Sequence, residues 1–376
     1  MTPSAGDPGT AWVSVHAFHQ GDLDALLRDG VLPLAERLAA GGLTSRWFYL
    51  RYWDGGPHLR VRAFAAPGHR EHVRQELLAG LDAYLRANPS APVLDAGAYR
   101  RMAAELARME GLDSHETEPR PNDTAAEVPY VPERHVYGER DALAAVELHF
   151  AESSGIAARL VAAGTPPSRR RGLALTATLL ALAVAEPDLD EAASRAAASA
   201  VRVRAGMPDL SSSYQPLSER LIAQAHEVWK LAGTGPEPDT DRAPRSGAGG
   251  VSGSSADRVP RSGAGGAVGS GAGAGSGDRD VQLAWLCSLR ALLRRLEAAS
   301  AAGDLNVEPP SSPFGWAPST DSGPSAAVRA ILMRVAHLFC NRLGVLIPDE
   351  MLINYLIGRT LTDIAADRES RTARTS

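Results

Sequence analysis

The stretch from Trp47 to Arg62, WFYLRYWDGGPHLRVR, constrains the fold more than any other part of the chain. Two alternating runs flank Asp54-Gly55-Gly56, a turn chemistry that favours φ > 0 and predicts a β-hairpin. An even-numbered loop pairs Trp53 with His58, Arg51 with Arg60 and Tyr49 with Arg62. On that register these six residues share one face, and Phe48, Leu50, Tyr52, Leu59, Val61 and Ala63 form an apolar one. Directly opposed arginines repel, so a sequence that keeps them implies an anion between them.

The rest of the chain divides around this hairpin. Residues 12–19 alternate as a strand. Residues 22–40 have helical periodicity, with Asp22 as N-cap and Gly41-Gly42 as a stop. Helices are predicted over 67–87 and 97–111, a polar loop over 116–123, and a short strand over 128–131. After Gly138 the pattern predicts helices near 140–164, 168–185, 190–205, 215–232, 279–301, 325–343 and 348–363. The fold class is therefore α+β: N-terminal antiparallel strands packed with helices, then a mainly helical C-terminal half. Residues 233–278 are rich in Gly, Ser, Ala and Pro and contain a direct repeat, DRAPRSGAGG at 241–250 and DRVPRSGAGG at 257–266. Such a composition cannot bury apolar surface. It reads as a disordered insertion within a single domain spanning 12–365, the alternative being a separate small helical domain after it.

Composition excludes several classes of function. A formal charge of -5 gives no support for nucleic-acid or membrane-surface binding. Lys230 is the only lysine, which leaves one candidate for Schiff-base chemistry. Cys287 and Cys340 have no metal-ligand spacing, so no metal site is expected and a reducing cytoplasm is the simplest setting. The N-terminus lacks an apolar signal core, and 173–185 is too short to span a bilayer and reads as a buried helix. No Walker A, GxGxxG, HExxH or GxSxG motif is present.

Three segments carry candidate chemistry. The polar hairpin face offers Tyr49, Arg51, His58, Arg60 and Arg62, and guanidinium groups bind carboxylates and stabilise developing negative charge. A solvated sheet face is the plainer reading of the same pattern. In Tyr130-Val131-Pro132-Glu133-Arg134-His135-Val136-Tyr137-Gly138, Glu133 is placed to orient an arginine, or the segment is simply a structured loop. In Arg334 to Gly344, His337 and Asn341 are four apart and share a helix face. A histidine there is either a general base or a satisfied helix residue.

Taken together, these segments resemble the C-terminal elimination domain of class I lanthipeptide dehydratases and the stand-alone thiopeptide-type bacteriocin biosynthesis proteins. The resemblance rests on Trp47-Phe48, Arg51-Tyr52 and His58-Leu59-Arg60-x-Arg62. It continues through Tyr130-x-Pro132-Glu133-x-x-x-Tyr137-Gly138, Glu147-Leu148-His149-Phe150 with Ser153-Ser154, and His337-x-x-x-Asn341-Arg342-Leu343 with Glu350. It covers about 12–232 and 279–365, in family order.

The resemblance implies an enzyme acting on a ribosomally made precursor peptide, leader plus modified core. A separate glutamyl-tRNA-dependent dehydratase would esterify Ser or Thr with glutamate. The elimination protein would then remove glutamate to leave dehydroalanine or dehydrobutyrine. In that reading Arg60, Arg62 and His337 are catalytic, and Arg51, His58, Glu133, Arg134 and Tyr137 bind substrate. One departure stands out: the family's arginine just before Tyr-Gly is Val136 here, with Arg134 as a substitute if the segment is extended. The alternative within the same fold is a pyridine synthase, joining two dehydroalanines in a formal aza-[4+2] cycloaddition and releasing the leader. A non-catalytic peptide-binding subunit is a further alternative.

Overall fold

Two consecutive glycines with positive φ, Gly55 (83°) and Gly56 (106°), turn the chain between β2 (Thr44–Tyr52) and β3 (His58–Ala65). The computed structural model describes residues 11–91, 94–110, 112–203, 210–236, 276–305 and 324–375. The loop holds residues 53–57, an odd number, so Tyr52 pairs with His58, Arg51 with Leu59, Leu50 with Arg60 and Phe48 with Arg62. The expected pairing of Arg51 with Arg60 is thus wrong by one residue, and a one-residue slip moves a whole strand to the other face. The cause lies outside the hairpin. Gly55 N–H donates to the Tyr99 hydroxyl (2.7 Å), Arg120 N–H to Gly55 O (2.7 Å) and Glu116 N–H to the Asp54 carboxylate (2.7 Å). These distant anchors hold open a wider loop than the Asp-Gly-Gly chemistry alone selects.

The hairpin belongs to a four-stranded antiparallel sheet of order β2-β3-β1-β4, with β1 at Trp12–Phe18 and β4 at Thr124–Glu127. The strand expected over 128–131 lies four residues earlier, because Pro129 cannot donate to a ladder. One sheet face carries Val13, Val15, Ala17, Tyr49, Leu59, Val61 and Ala63, all at most 3% exposed. It packs on α3 (Arg70–Ala87), whose Val73, Leu77, Leu81 and Leu85 form an i, i+4 stripe. Glu127 of β4 fixes that side by pairing with Arg70 and Arg74.

Before β2 the chain forms a short turn α1 (Leu23–Ala25), a π-helical segment over Leu26–Val31, and α2 (Leu32–Ala40). Asp22 caps α1 through its carboxylate, as the sequence predicts. After α3 come α4 (Ala96–Glu110), α5 (Arg134–Tyr137), α6 (Arg140–Ala162), α7 (Pro167–Ala185), α8 (Leu189–Val203), α9 (Ser211–Tyr214) and α10 (Ser218–Thr234). The last three helices are α11 (Ser276–Ala301), α12 (Pro324–Arg342) and α13 (Ile347–Thr375). The fold is α+β, with the strands N-terminal and the helices dominant. Most of the predicted insertion, with its repeat, lies outside the described residues. Helix α7 is apolar nearly all round and sits among α8, α10, α11, α12 and α13 as a central core helix. Among the described residues no single helix is long and apolar enough to cross a membrane.

Sheet and helices are joined along the outer edge of β2. Tyr49 N–H donates to Ser154 Oγ (3.2 Å), and Arg342 Nε donates to Tyr49 O (3.1 Å). Asn341 acts as a strand surrogate, accepting from Arg51 N–H (2.9 Å) and donating to Arg51 O (2.8 Å). An exposed strand edge is a template for unwanted pairing; here side chains of α6 and α12 cover it. Beside this clip, Asp24 accepts from Arg51 (2.5 Å) and Arg170 (2.6 Å), whose other N–H groups reach the carbonyls of Arg342 and Leu343. Burial works against the Asp24 charge, but hydrogen bonds and charge from Arg170 and Arg51 outweigh it and hold its carboxyl below the usual range. Asp24→Asn is therefore expected to cost about 2–4 kcal/mol, because Arg170 is left buried without its counter-charge. Urea unfolding measures this, and an unchanged midpoint would contradict the role given to the network.

Candidate functional site

The second sheet face is where cations and aromatic rings interleave. It carries Trp12, Ser14, His16 and Phe18 of β1, Arg46, Phe48, Leu50 and Tyr52 of β2, and His58, Arg60, Arg62 and Phe64 of β3. Arg60 lies 3.4 Å over the Tyr52 ring, and its Nε donates to His58 Nε2 (3.3 Å). Arg62 lies 4.5 Å over Tyr130 and 5.3 Å over Phe48, and its buried Nε has no hydrogen-bond partner. Neither arginine is hydrogen-bonded to a carboxylate among the described residues. Burial lowers both, Arg62 to about 10, and both remain cationic at neutral pH.

His58 orients Arg60. Its Nδ1 donates to Gly56 O (2.8 Å), since a carbonyl only accepts, and Nε2 is then the acceptor for Arg60. His16, absent from the sequence-based candidates, stacks on His58 with ring centroids 4.9 Å apart. Burial brings His58 down to about 4 and His16 to about 2, with the neighbouring charges adding to the shift at His16. Burial and then Arg342 bring His149 down to about 3. All three have folded values below the 6.5 of a free histidine, so the unfolded chain takes up more protons as pH falls from about 6.5. Stability is full above that pH and is lost below it. The urea midpoint is expected to fall between pH 7.5 and 5.0, with a loss of up to about 6 kcal/mol in unfolding free energy, roughly 2 per histidine. A midpoint flat over that range would contradict neutral burial of these rings.

Across from the arginines stands the segment before α6. Glu133 is about half exposed and accepts from Arg334 Nη2 (3.3 Å), and Arg334 Nε donates to the Tyr137 hydroxyl (3.2 Å). The Glu133 charge also supports the ionised forms of Arg60 and Arg62. Burial pushes Tyr137 up to about 12. Arg134, expected to stand in for an arginine at 136, does not join the site. Residues Arg134–Tyr137 are helical, so positions two apart diverge instead of sharing a side. Arg134 points to solvent and pairs with Glu139 (3.4 Å), while Val136 is buried in the core. Arg51 is likewise removed from the arginine face and serves the Asp24 network.

On α12, Arg334, His337 and Asn341 fall at i, i+3 and i+7 and share one face. One end of that face touches Glu133 and Tyr137, and the other touches the backbone of β2 at Arg51. His337 lies between. Its Nδ1 is 2.7 Å from Oε1 of Glu350, which is buried on α13. A carboxylate on Nδ1 favours the tautomer with Nε2 as the accepting nitrogen, the arrangement that suits a general base.

The structure joins Arg60 to His58 and Arg62 to Tyr130, stacks His16 on His58, and gathers Glu133, Tyr137 and Arg334 at one end of the α12 face that carries His337 and its partner Glu350. Arg334 lay inside a segment singled out for His337, but helical spacing does not show what a side chain meets on another element. A second polar cluster, Ser288 between His149 (2.8 Å) and Glu152 (2.5 Å), is buried and has serine at its centre, so it lacks the order of a nucleophilic triad. Among the described residues there is no group of three or more His, Cys, Asp or Glu side chains that could hold a metal ion.

No curated protein sequence matches the chain. A pyridine synthase, TbtD, from thiomuracin biosynthesis aligns with 20% identity and a TM-score of 0.63, covering 94% of this chain and 99% of that one. TsrL aligns with 16% identity and a TM-score of 0.55 over 95% of each chain. The tRNA-dependent lantibiotic dehydratase MibB from Microbispora sp. 107891 aligns with 19% identity and a TM-score of 0.50, covering 98% of this chain but only 29% of MibB. At these identities the structures establish a shared fold. The family model described as lantibiotic biosynthesis dehydratase C-term matches residues 12–361, nearly the whole chain, and the chain belongs to that family.

Proposed function

We propose that the chain modifies a ribosomally made precursor peptide by eliminating glutamate from glutamylated Ser or Thr. The observation that supports this reading is the pair Arg60 and Arg62, desolvated cations held by aromatic rings and not by carboxylates. A partly buried cation with no carboxylate hydrogen-bonded to it is costly, and it binds an incoming anion without first breaking an internal ion pair. In the proposed step His337 takes the Cα proton of the esterified residue. The electron pair forms Cα=Cβ, the Cβ–O bond breaks, and glutamate leaves as its carboxylate. Arg60 and Arg62 stabilise the enolate-like charge and the departing carboxylate. Glu350 holds the His337 ring, and Arg334 pairs with Glu133 one turn earlier on the same helix face. No step in this reading calls for a metal or organic cofactor.

A second reading, formal aza-[4+2] cycloaddition with release of the leader, is favoured by one observation. Val136 is core, Arg134 faces solvent, and no arginine stands at the position where the resemblance implies one. Incubation with two substrates separates the readings. Loss of glutamate from a glutamylated precursor supports elimination. Conversion of an already dehydrated precursor into a cyclised product with a released leader supports the second reading. Binding of either without a mass change would leave a peptide-binding role.

A further inference from the structure

We propose that Glu147 is a positioning residue that acts through Tyr130 on Arg62; the functional meaning of that role rests on the anion-binding reading above. Arg62 has no hydrogen bond or ion pair among the described residues, so its guanidinium is oriented by the rings of Tyr130 (4.5 Å) and Phe48 (5.3 Å). Phe48 is held by the core, with Trp12 at 4.9 Å and Phe150 at 5.4 Å. Tyr130 meets that cluster only at its edge, with Trp12 at 5.9 Å and Phe48 at 6.1 Å. It lies between Pro129 and Pro132 in a segment without regular structure and is only partly buried.

The directional anchor of Tyr130 is its hydroxyl, which donates to Glu147 Oε1 at 2.9 Å. The other Glu147 oxygen accepts from Trp12 Nε1 at 2.8 Å. Glu147 is buried, and both its hydrogen-bond donors are neutral. Burying a carboxylate this way is unfavourable compared with an apolar side chain of similar size. The arrangement has a chemical consequence. A direct Glu–Arg pair would occupy the guanidinium N–H groups and cancel their charge. An anchor one ring removed fixes Arg62 and leaves those groups to a ligand. The hydrogen bond to a carboxylate also enriches the Tyr130 ring in electron density, which strengthens its attraction for the cation.

The test uses the full chain and two readouts, with variants Glu147→Gln and Tyr130→Phe. The first readout is the Arg62 Nε–Hε NMR resonance, assigned by its loss in Arg62→Lys. It reports where the Tyr130 ring lies relative to Arg62 and does not depend on catalysis. Both variants are expected to shift it, while resonances of α3 remain in place. The second is affinity for free glutamate by calorimetry. Glu147→Gln is expected to weaken binding about fivefold in the parent, the upper end of the range for a solvent-accessible cation–π contact. It is expected to add nothing in an Arg62→Met background, because the two residues then act as one unit. An unmoved Arg62 resonance in both variants, or a Glu147→Gln loss of the same factor in both backgrounds, would overturn the proposal. If the parent chain does not bind glutamate, the anion-site reading fails while the resonance still decides whether Glu147 positions Arg62.

Discussion

Arg62→Met is expected to make the protein more stable and to lower its turnover at least about a hundredfold, the scale of losing an electrostatic stabiliser of the reacting charge. The two effects have one origin. Arg62 Nε is buried without a hydrogen-bond partner, and burial disfavours its charge. Replacing such a cation with an apolar side chain of similar volume removes a desolvation penalty, so unfolding free energy is expected to rise by about 1 kcal/mol. A structural arginine behaves differently: at Arg170, bonded to Asp24 and the Leu343 carbonyl, the same change is expected to destabilise. Paired measurements of the urea midpoint and single-turnover rate check this. A fall in stability for Arg62→Met, or turnover near the parent value, would count against an anion site.

His337→Asn is expected to lower the chemical step by about 10²–10⁴-fold, the range of general base catalysis. Asparagine preserves a polar group toward Glu350 but offers no basic nitrogen. Glu350→Gln is expected to give a smaller loss, because it keeps an acceptor for Nδ1–H and removes only the negative charge behind the ring. Binding of the unreacted precursor should change little in either variant, since the arginine face is untouched. If both variants turn over like the parent, His337 is a helix-linking residue tied to α13 and the base lies elsewhere.

These expectations separate what was legible in the sequence from what was not. The alternation of 47–62 and the Asp-Gly-Gly turn showed a hairpin with arginines on one strand face, and Arg60 and Arg62 do share a face. The register was not legible, because Tyr99 and residues 116–120, which hold the loop open, come from far along the chain. That slip is why Arg51 was grouped with Arg60. Arg134 failed for a local reason: a helical turn formed where an extended segment was assumed, and the side implied by period two was lost. Arg334 and Glu147 illustrate a third limit. Helical spacing shows which residues share a face, but not that Arg334 meets Tyr137 or that Glu147 meets Trp12, 135 residues earlier in the chain. The helical half was more legible, since long apolar periodicities such as α7 specify both type and burial.

The central claim is that the cations of β3 and His337 of α12 act together on a glutamylated peptide. Its most direct test is intact-mass measurement of a glutamylated precursor after incubation with the purified chain. The account predicts that each glutamyl ester is lost as free glutamate and leaves a dehydrated residue, and that Arg62→Met and His337→Asn leave the esters in place. Intact esters after incubation with the folded parent protein would contradict it.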